Sequence, residues 1–318
     1  MKLARRSLLL GAATALPLAT VARASPAVWP GALAMGTGQP GDAFTIYGPG
    51  WGRLITKATG TEIVYRATDG SGPNLLLIEE GAAQLGLCSL PVAIQAMNGT
   101  GNWTAGAKLE QFRVLFPAFP SILQIVSTVK GPAALAELAG QAIGVGPTGG
   151  SSAILVEKIL ASQGISPGRF EEGDYVQQID KLINGKLAAC AFFGAAPVPA
   201  ITAAASGNRL HLIGFSEAEA DHAARFVPGL TRMILKAEMF PGQTKPVAST
   251  GTMIVAVSTA ILPDQLAAAA TLAALQHRSE LAAIIPAVAQ PSSRSLLREA
   301  NLPLHPGVVK ILKRLGLI

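Results

Sequence analysis

The residues with the most chemical potential in this chain are glycines and hydroxyls rather than acids and bases. Three stretches concentrate them: Gly36-Thr37-Gly38-Gln39-Pro40-Gly41, Thr68-Asp69-Gly70-Ser71-Gly72-Pro73-Asn74, and Gly144-Val145-Gly146-Pro147-Thr148-Gly149 running on into Gly150, Ser151 and Ser152. Each follows a short apolar run and precedes a helical pattern, which sets backbone N–H groups and hydroxyls at a helix start. The first N–H groups of a helix have no intrahelical acceptor and sit at the positive end of its dipole, so they attract carboxylates. If the loops converge on one cleft they form a polar clamp for a small acidic metabolite. If they do not, they are glycine-rich structural turns. In the middle loop Pro73 suits a first helical position, with Ser71 or Gly72 as the cap.

The first and third loops also match G-x-G-x-x-G, which raises a nucleotide-dependent oxidoreductase as the alternative. A dinucleotide site wants an acid at the end of the next strand. Glu62 opens a strand instead, and Glu171-Glu172 falls in a glycine-flanked turn.

Other catalytic chemistry is sparse. His211, His222, His277 and His305 are scattered, without the local spacing of a zinc site. Gly149-Gly150-Ser151-Ser152-Ala153 lacks the last glycine of a nucleophile elbow. Glu79-Glu80 and Glu171-Glu172 sit beside glycines as solvated turn charges. The expectation is a binding protein rather than an enzyme, with no cofactor and no metal.

The elements that must position these loops alternate between short apolar runs and helical patterns, the signature of an α/β protein. Strands are expected at Ala32–Gly36, Thr61–Arg66, Gln84–Ser89, Phe112–Phe116, Leu123–Thr128, Ala142–Gly146, Leu187–Phe193, Arg209–Phe215 and Thr252–Ser258. Helices are expected over Ser151–Ser162 before Gly164, over Tyr175–Asn184 before Gly185, after the capping-box pair Ser216 and Glu219, and after Pro263-Asp264. Pro306–Leu315 reads as a short basic amphipathic helix.

Half of the 318 residues are hydrophobic and 14% are charged, which excludes a disordered chain. The net charge of +6 is concentrated at the N-terminus. Residues 1–24 hold Lys2, Arg5, Arg6 and Arg23 and no acid, leaving 21 basic against 19 acidic residues beyond them. That balance carries no electrostatic footprint for nucleic acid. Residues 1–24 have a basic start, the apolar stretch Ser7–Val21 and an A-x-A site at Ala22-Arg23-Ala24, the three parts of an export signal. Arg5-Arg6-Ser7-Leu8-Leu9 matches a twin-arginine signal; an ordinary secretory signal is the alternative. Either route places the mature chain in the periplasm. A disulfide between Cys88 and Cys190 is permitted there, but both lie in apolar runs and read as buried, unpaired small hydrophobes.

With these motifs in order, the mature chain resembles the solute receptors of the TAXI group of tripartite (TRAP) transporters. The resemblance runs from Gly36–Gly41 and Phe44–Gly48 through Thr68–Leu75 and Glu80–Leu87. It continues over Leu138–Ser152, Leu182–Pro199, Phe240–Gln243 and His305–Gly307. It implies a type II periplasmic binding-protein fold: two α/β lobes joined by two crossing segments, placed near Gln124–Thr128 and Pro246–Met253. Residues 25–125 plus 250–318 would form lobe one, and 126–249 lobe two. It implies a monomeric, non-catalytic receptor that captures a small organic acid or a glutamate-like amino acid and hands it to a TRAP permease. A ligand-sensing accessory protein of the same fold is an alternative.

Carried over by position, Phe44 would form an apolar wall, and Ser71 and Asn74 would make polar contacts from lobe one. Thr148, Gly150, Ser151 and Ser152 would supply N–H and hydroxyl groups from lobe two, and Phe193, Pro197 and Gln243 would line the cleft. The chain departs from the pattern at Phe44, which lacks a phenolic hydroxyl, at Gly150 in place of serine, and at Ala188-Ala189, which lack an aspartate. Asp42 and Asp69 stand at loop positions that are uncharged in the pattern. They serve either as Asx-turn residues or as cleft acids that favour a ligand with an amine.

Overall fold

The computed structural model describes residues 29–205, 210–290 and 299–316. The export segment expected at residues 1–24 lies outside the described residues. The chain first builds a βαβαβ unit from β1 (Ala32–Gly36), α1 (Phe44–Thr59), β2 (Glu62–Arg66), α2 (Ser71–Glu79) and β3 (Leu85–Ser89), followed by α3 (Leu90–Asn98). The long strand β4 (Phe112–Thr128) leads into a second unit. That unit is β5 (Ala142–Gly144), α4 (Ser151–Ser162), β6 (Arg169–Glu171), α5 (Tyr175–Ile183) and β7 (Ala189–Gly194), then α6 (Pro199–Ala205) and β8 (Leu210–Ile213). After α7 (Glu217–Phe226) and β9 (Thr231–Leu235), β10 (Val247–Thr259) returns to the first unit, and α8 (Asp264–Gln276), α9 (Arg278–Ile284) and α10 (Pro306–Arg314) cover it.

The strand order repeats. In the first half, parallel β2-β1-β3 is followed by antiparallel β10 and then β4. In the second, parallel β6-β5-β7 is followed by the antiparallel second half of β4 and then β8. Two lobes of one design therefore share their long strands. β4 pairs with β10 up to Ile122 and with β7 from Ile122 onward, while β10 pairs with β9 over Val247–Gly251. In parallel α/β sheets the helix N-termini sit over the C-terminal strand ends, where ligand crevices form. Here both lobes turn that end toward the other.

The sequence reading expects two strands here, Phe112–Phe116 and Leu123–Thr128, with Pro117 and Pro120 between them; proline removes a ladder donor. The strand nevertheless runs through. Pro117 lies opposite Val255, at the register shift between Ile254 and Val255, so the ladder tolerates the missing N–H at an irregularity. Two further strands, β6 and β9, form where the sequence reading expects none; the three residues of β6 are too few to show a period. Arg209, the expected start of β8, lies outside the described residues. The α2 helix starts at Ser71, with Gly70 as its cap, rather than at Pro73. Pro73 then sits in the first turn, where no intrahelical N–H bond is lost.

Lobe one packs around Trp51, whose indole N–H donates to Ala270 O (2.9 Å) and whose ring meets Phe116 edge-on at 5.3 Å. Lobe two packs around Tyr175, Ile179, Leu182 and Phe192. Cys88 and Cys190 are buried and free, and desolvation raises both thiol pKa values. Among the described residues no helix is long and apolar enough to cross a membrane.

Candidate functional site

The repeated topology brings four helix starts to one place. Phe44 opens α1, Ser71 opens α2, Ser151 opens α4 and Tyr175 opens α5, and all four line a single cavity between the lobes. The residues that cap α2 and α4 are Gly70 and Gly150, which supply no side-chain acceptor. By contrast, α5 and α7 are capped by Asp174 and by the expected Ser216–Glu219 box. Two N-termini that face each other across the cavity thus keep their amide donors clear of side-chain caps, the arrangement that binds a carboxylate.

The loops meet directly. Ser71 Oγ lies 2.8 Å from Ser151 Oγ, and Ser151 Oγ donates to Ser89 Oγ at 3.0 Å. Gly72 N–H donates to Gly149 O at 3.0 Å. A Cβ on Gly72 would sit 2.8 Å from that same carbonyl, so only glycine allows this approach. With the lobes in this contact, the cavity has room for roughly one water molecule. A larger guest has to part the serines and take over the bonds they make to each other.

The cavity wall is aromatic and acidic. Phe44, Phe119, Phe193 and Ile254 supply its apolar surface, and Asp42, Asp69, Ser121 and Tyr175 its remaining polar groups. Phe44 stands edge-on to Phe119 with ring centres 6.4 Å apart. Asp42 Oδ1 accepts from Phe44 N–H at 3.2 Å, an Asx-type contact at the start of α1. Desolvation nonetheless raises its pKa from 3.8 to about 6, with the backbone N–H bonds of Phe44 and Ala43 opposing. Asp69 Oδ1 accepts from Gln39 Nε2. The Tyr175 hydroxyl is held well above its usual range by burial first, then by the charge of Asp42, while its bond to Ser152 opposes the rise.

The expected site residues divide. Phe44, Ser71, Gly150, Ser151 and Phe193 line the cavity. Asn74 stands behind it, fully buried, with Nδ2 donating to Thr37 O and Leu87 O (both 2.9 Å) and Oδ1 2.8 Å from Thr68 Oγ1. It ties the ends of β1 and β3 to the Asp69 loop, and Gly36 leaves space for its amide. Ser152 is likewise buried behind the wall, accepting from Phe193 N–H at 2.8 Å. Both are positioning residues rather than lining ones. Thr148 is exposed on its loop, and Pro197 is half-buried, after a cis peptide bond and outside the lining.

Gln243 falls elsewhere altogether. Its Nε2 donates to Lys236 O (2.8 Å) and Lys245 O (3.0 Å), closing the turn between β9 and β10, and it lines a separate groove with His211 and Phe240. Its expected place in the cleft is therefore corrected: its backbone partners are local, and they hold it at that turn.

Sequence reasoning left Tyr175, Phe119, Ser121 and Ile254 out of the site. The signal for Tyr175 was present: it follows the N-cap Asp174 and opens the second helix of its βαβαβ unit, as Ser71 does in the first. At Gly144–Gly149 the nucleotide alternative is not favoured. The Glu171 carboxylate at the end of β6 is engaged by Lys181 and Arg169, and those partners pull its pKa down. Among the described residues no cluster of metal-ligating side chains occurs.

Comparison with known structures and families agrees with this architecture. The chain is similar to the GluR0 ligand-binding core from Nostoc punctiforme in complex with L-glutamate, at 18% identity and a TM-score of 0.50, covering 81% of this chain and 100% of that one. It is similar to an ancestral arginine-binding protein bound to arginine, at 13% identity and a TM-score of 0.52, covering 82% and 99%. A third is the arginine-, lysine-, histidine-binding protein ArtJ from Geobacillus stearothermophilus, at 13% identity and a TM-score of 0.51, covering 83% and 99%. At such identities the likeness speaks for the fold, that of type II periplasmic binding proteins. The NMT1-like family model matches residues 35–316, nearly all of the described chain, and the protein belongs to that family.

Proposed function

We propose that this protein is an extracytoplasmic solute receptor. It captures a small organic acid or amino acid between its lobes and delivers it to a membrane permease, of the tripartite TAXI type that its motifs resemble. The observation that carries this reading is the convergence of four helix starts, two from each lobe, on one interlobe cavity. Such a site is complete only when the lobes meet. Closure gathers donors from both sides and excludes water, which strengthens each charge-assisted hydrogen bond to the guest. Closure also changes the face that both lobes present, which lets a permease distinguish loaded from unloaded receptor. The export pattern at residues 1–24 and the sparseness of catalytic groups support the same reading.

The test is native mass spectrometry of the gently purified mature chain, followed by a thermal-shift screen of amino acids and organic acids. A true ligand raises the melting temperature with concentration, corresponding to about 2.7 kcal/mol at a hundred times its Kd. A screen in which no carboxylate-bearing compound shifts the transition, with no co-purified small molecule, contradicts the proposal.

A further inference from the structure

We infer that the ligand of the interlobe cavity carries an ammonium group, held against Asp42, Asp69 and the aromatic wall, and is a small zwitterion rather than a dicarboxylate. This rests on the receptor reading above and narrows it.

The inference comes from the charge and surface chemistry of the whole lining. No lysine, arginine or histidine lines the cavity, whereas two aspartates do. Among the described residues neither aspartate forms an ion pair. Their bonds are to neutral donors, the Phe44 N–H for Asp42 and the Gln39 amide for Asp69. A half-buried carboxylate without a cation is costly to keep ionised, and the raised pKa of Asp42 expresses that cost. A guest cation removes the cost by providing the missing partner.

The rings of Phe44, Phe119, Tyr175 and Phe193 independently suit the same guest. Aromatic rings attract cations through their quadrupole, and the Phe44, Phe119 and Phe193 rings give a second carboxylate no hydrogen-bond donor. The facing helix starts at Ser71 and Ser151, whose glycine caps supply no side-chain acceptor, favour one carboxylate. A small amino acid satisfies both ends, carboxylate toward the serines and ammonium toward the aspartates. A dicarboxylate leaves one charge facing Asp42 and Asp69.

Isothermal titration of the full mature chain at pH 7.5 tests this with compounds matched in length: L-2-aminobutyrate, butylamine, butyrate and succinate, alongside the common L-amino acids. The expected result is binding among ammonium-bearing compounds, with butyrate and succinate at least tenfold weaker. Asp42→Asn and Asp69→Asn, each checked to fold cooperatively and to melt no lower than the wild type, should each weaken that binding at least tenfold. The comparison among compounds on the wild-type protein stands even if a variant misfolds. If butyrate or succinate binds as tightly as the aminated compounds, or the Asn variants bind unchanged, the ammonium inference falls and the receptor reading survives. If no compound of any class binds, both fall.

Discussion

Asp42→Asn is the substitution whose effect follows most directly from the site. The carboxyl group is half-buried at the mouth of α1, and desolvation moves its pKa from 3.8 to about 6 in the folded protein. The folded state therefore holds a proton that the unfolded state releases between those values. The group's stabilising contribution is fully present below pH 3.8 and is lost as pH rises through about 6. At about 1.4 kcal/mol per pK unit, and allowing for water reaching a half-buried group, ionised Asp42 costs roughly 2–3 kcal/mol at neutral pH. Asparagine keeps the shape and the acceptor for Phe44 N–H but carries no charge. Urea unfolding followed by tryptophan fluorescence at pH 4, 6 and 7.5 reads the difference. The variant should match the wild type near pH 4 and exceed it by roughly 2–3 kcal/mol at pH 7.5, in protein freed of any co-purified ligand. Parallel curves for the two proteins across that range would show that Asp42 is fully hydrated, and the desolvation argument would be wrong.

Two further substitutions separate the framework from the contact between lobes. Asn74→Ala strips Thr37 O, Leu87 O and Thr68 Oγ1 of a buried partner, and should lower stability by about 2–4 kcal/mol in denaturant titrations; a loss below about 1 kcal/mol would contradict its positioning role. Gly72→Ala sets a methyl against Gly149 O without straining its own helix, so the lobes should part. X-ray scattering of the ligand-free protein should then show a larger radius of gyration at unchanged or slightly raised stability, and an unchanged radius would refute the idea that this glycine sets the closest approach.

Much of the frame is legible in the sequence because local chemistry specifies it. The capping box at Ser216 and Glu219 forms as expected, the helix over Ser151–Ser162 has the expected bounds, and β1 spans the residues that its apolar run predicts. The glycine loops were rightly placed before helices, since the uncapped starts at Ser71 and Ser151 depend on their glycine neighbours alone. What local sequence does not specify is which side of a helix start faces the other lobe. Ser151 and Ser152 are adjacent and chemically identical, yet one lines the cavity and the other braces Phe193. Asn74 reads as a polar ligand group until the tertiary fold supplies three partners for its amide. Gln243 was drawn into the cleft by motif order, but its carbonyl partners lie in its own turn. Tyr175 becomes a site residue only through the repeat of β2-β1-β3 as β6-β5-β7, which becomes visible once strands are paired.

The central claim, that helix starts from both lobes close on one guest, is tested most directly by hydrogen–deuterium exchange with and without the compound that stabilises the protein most in the thermal-shift screen. Amides at residues 43–46, 69–74, 149–153 and 175–177 should become protected together, at a common ligand concentration. Protection confined to one lobe, or centred on the groove around Phe240 and Gln243, would contradict it.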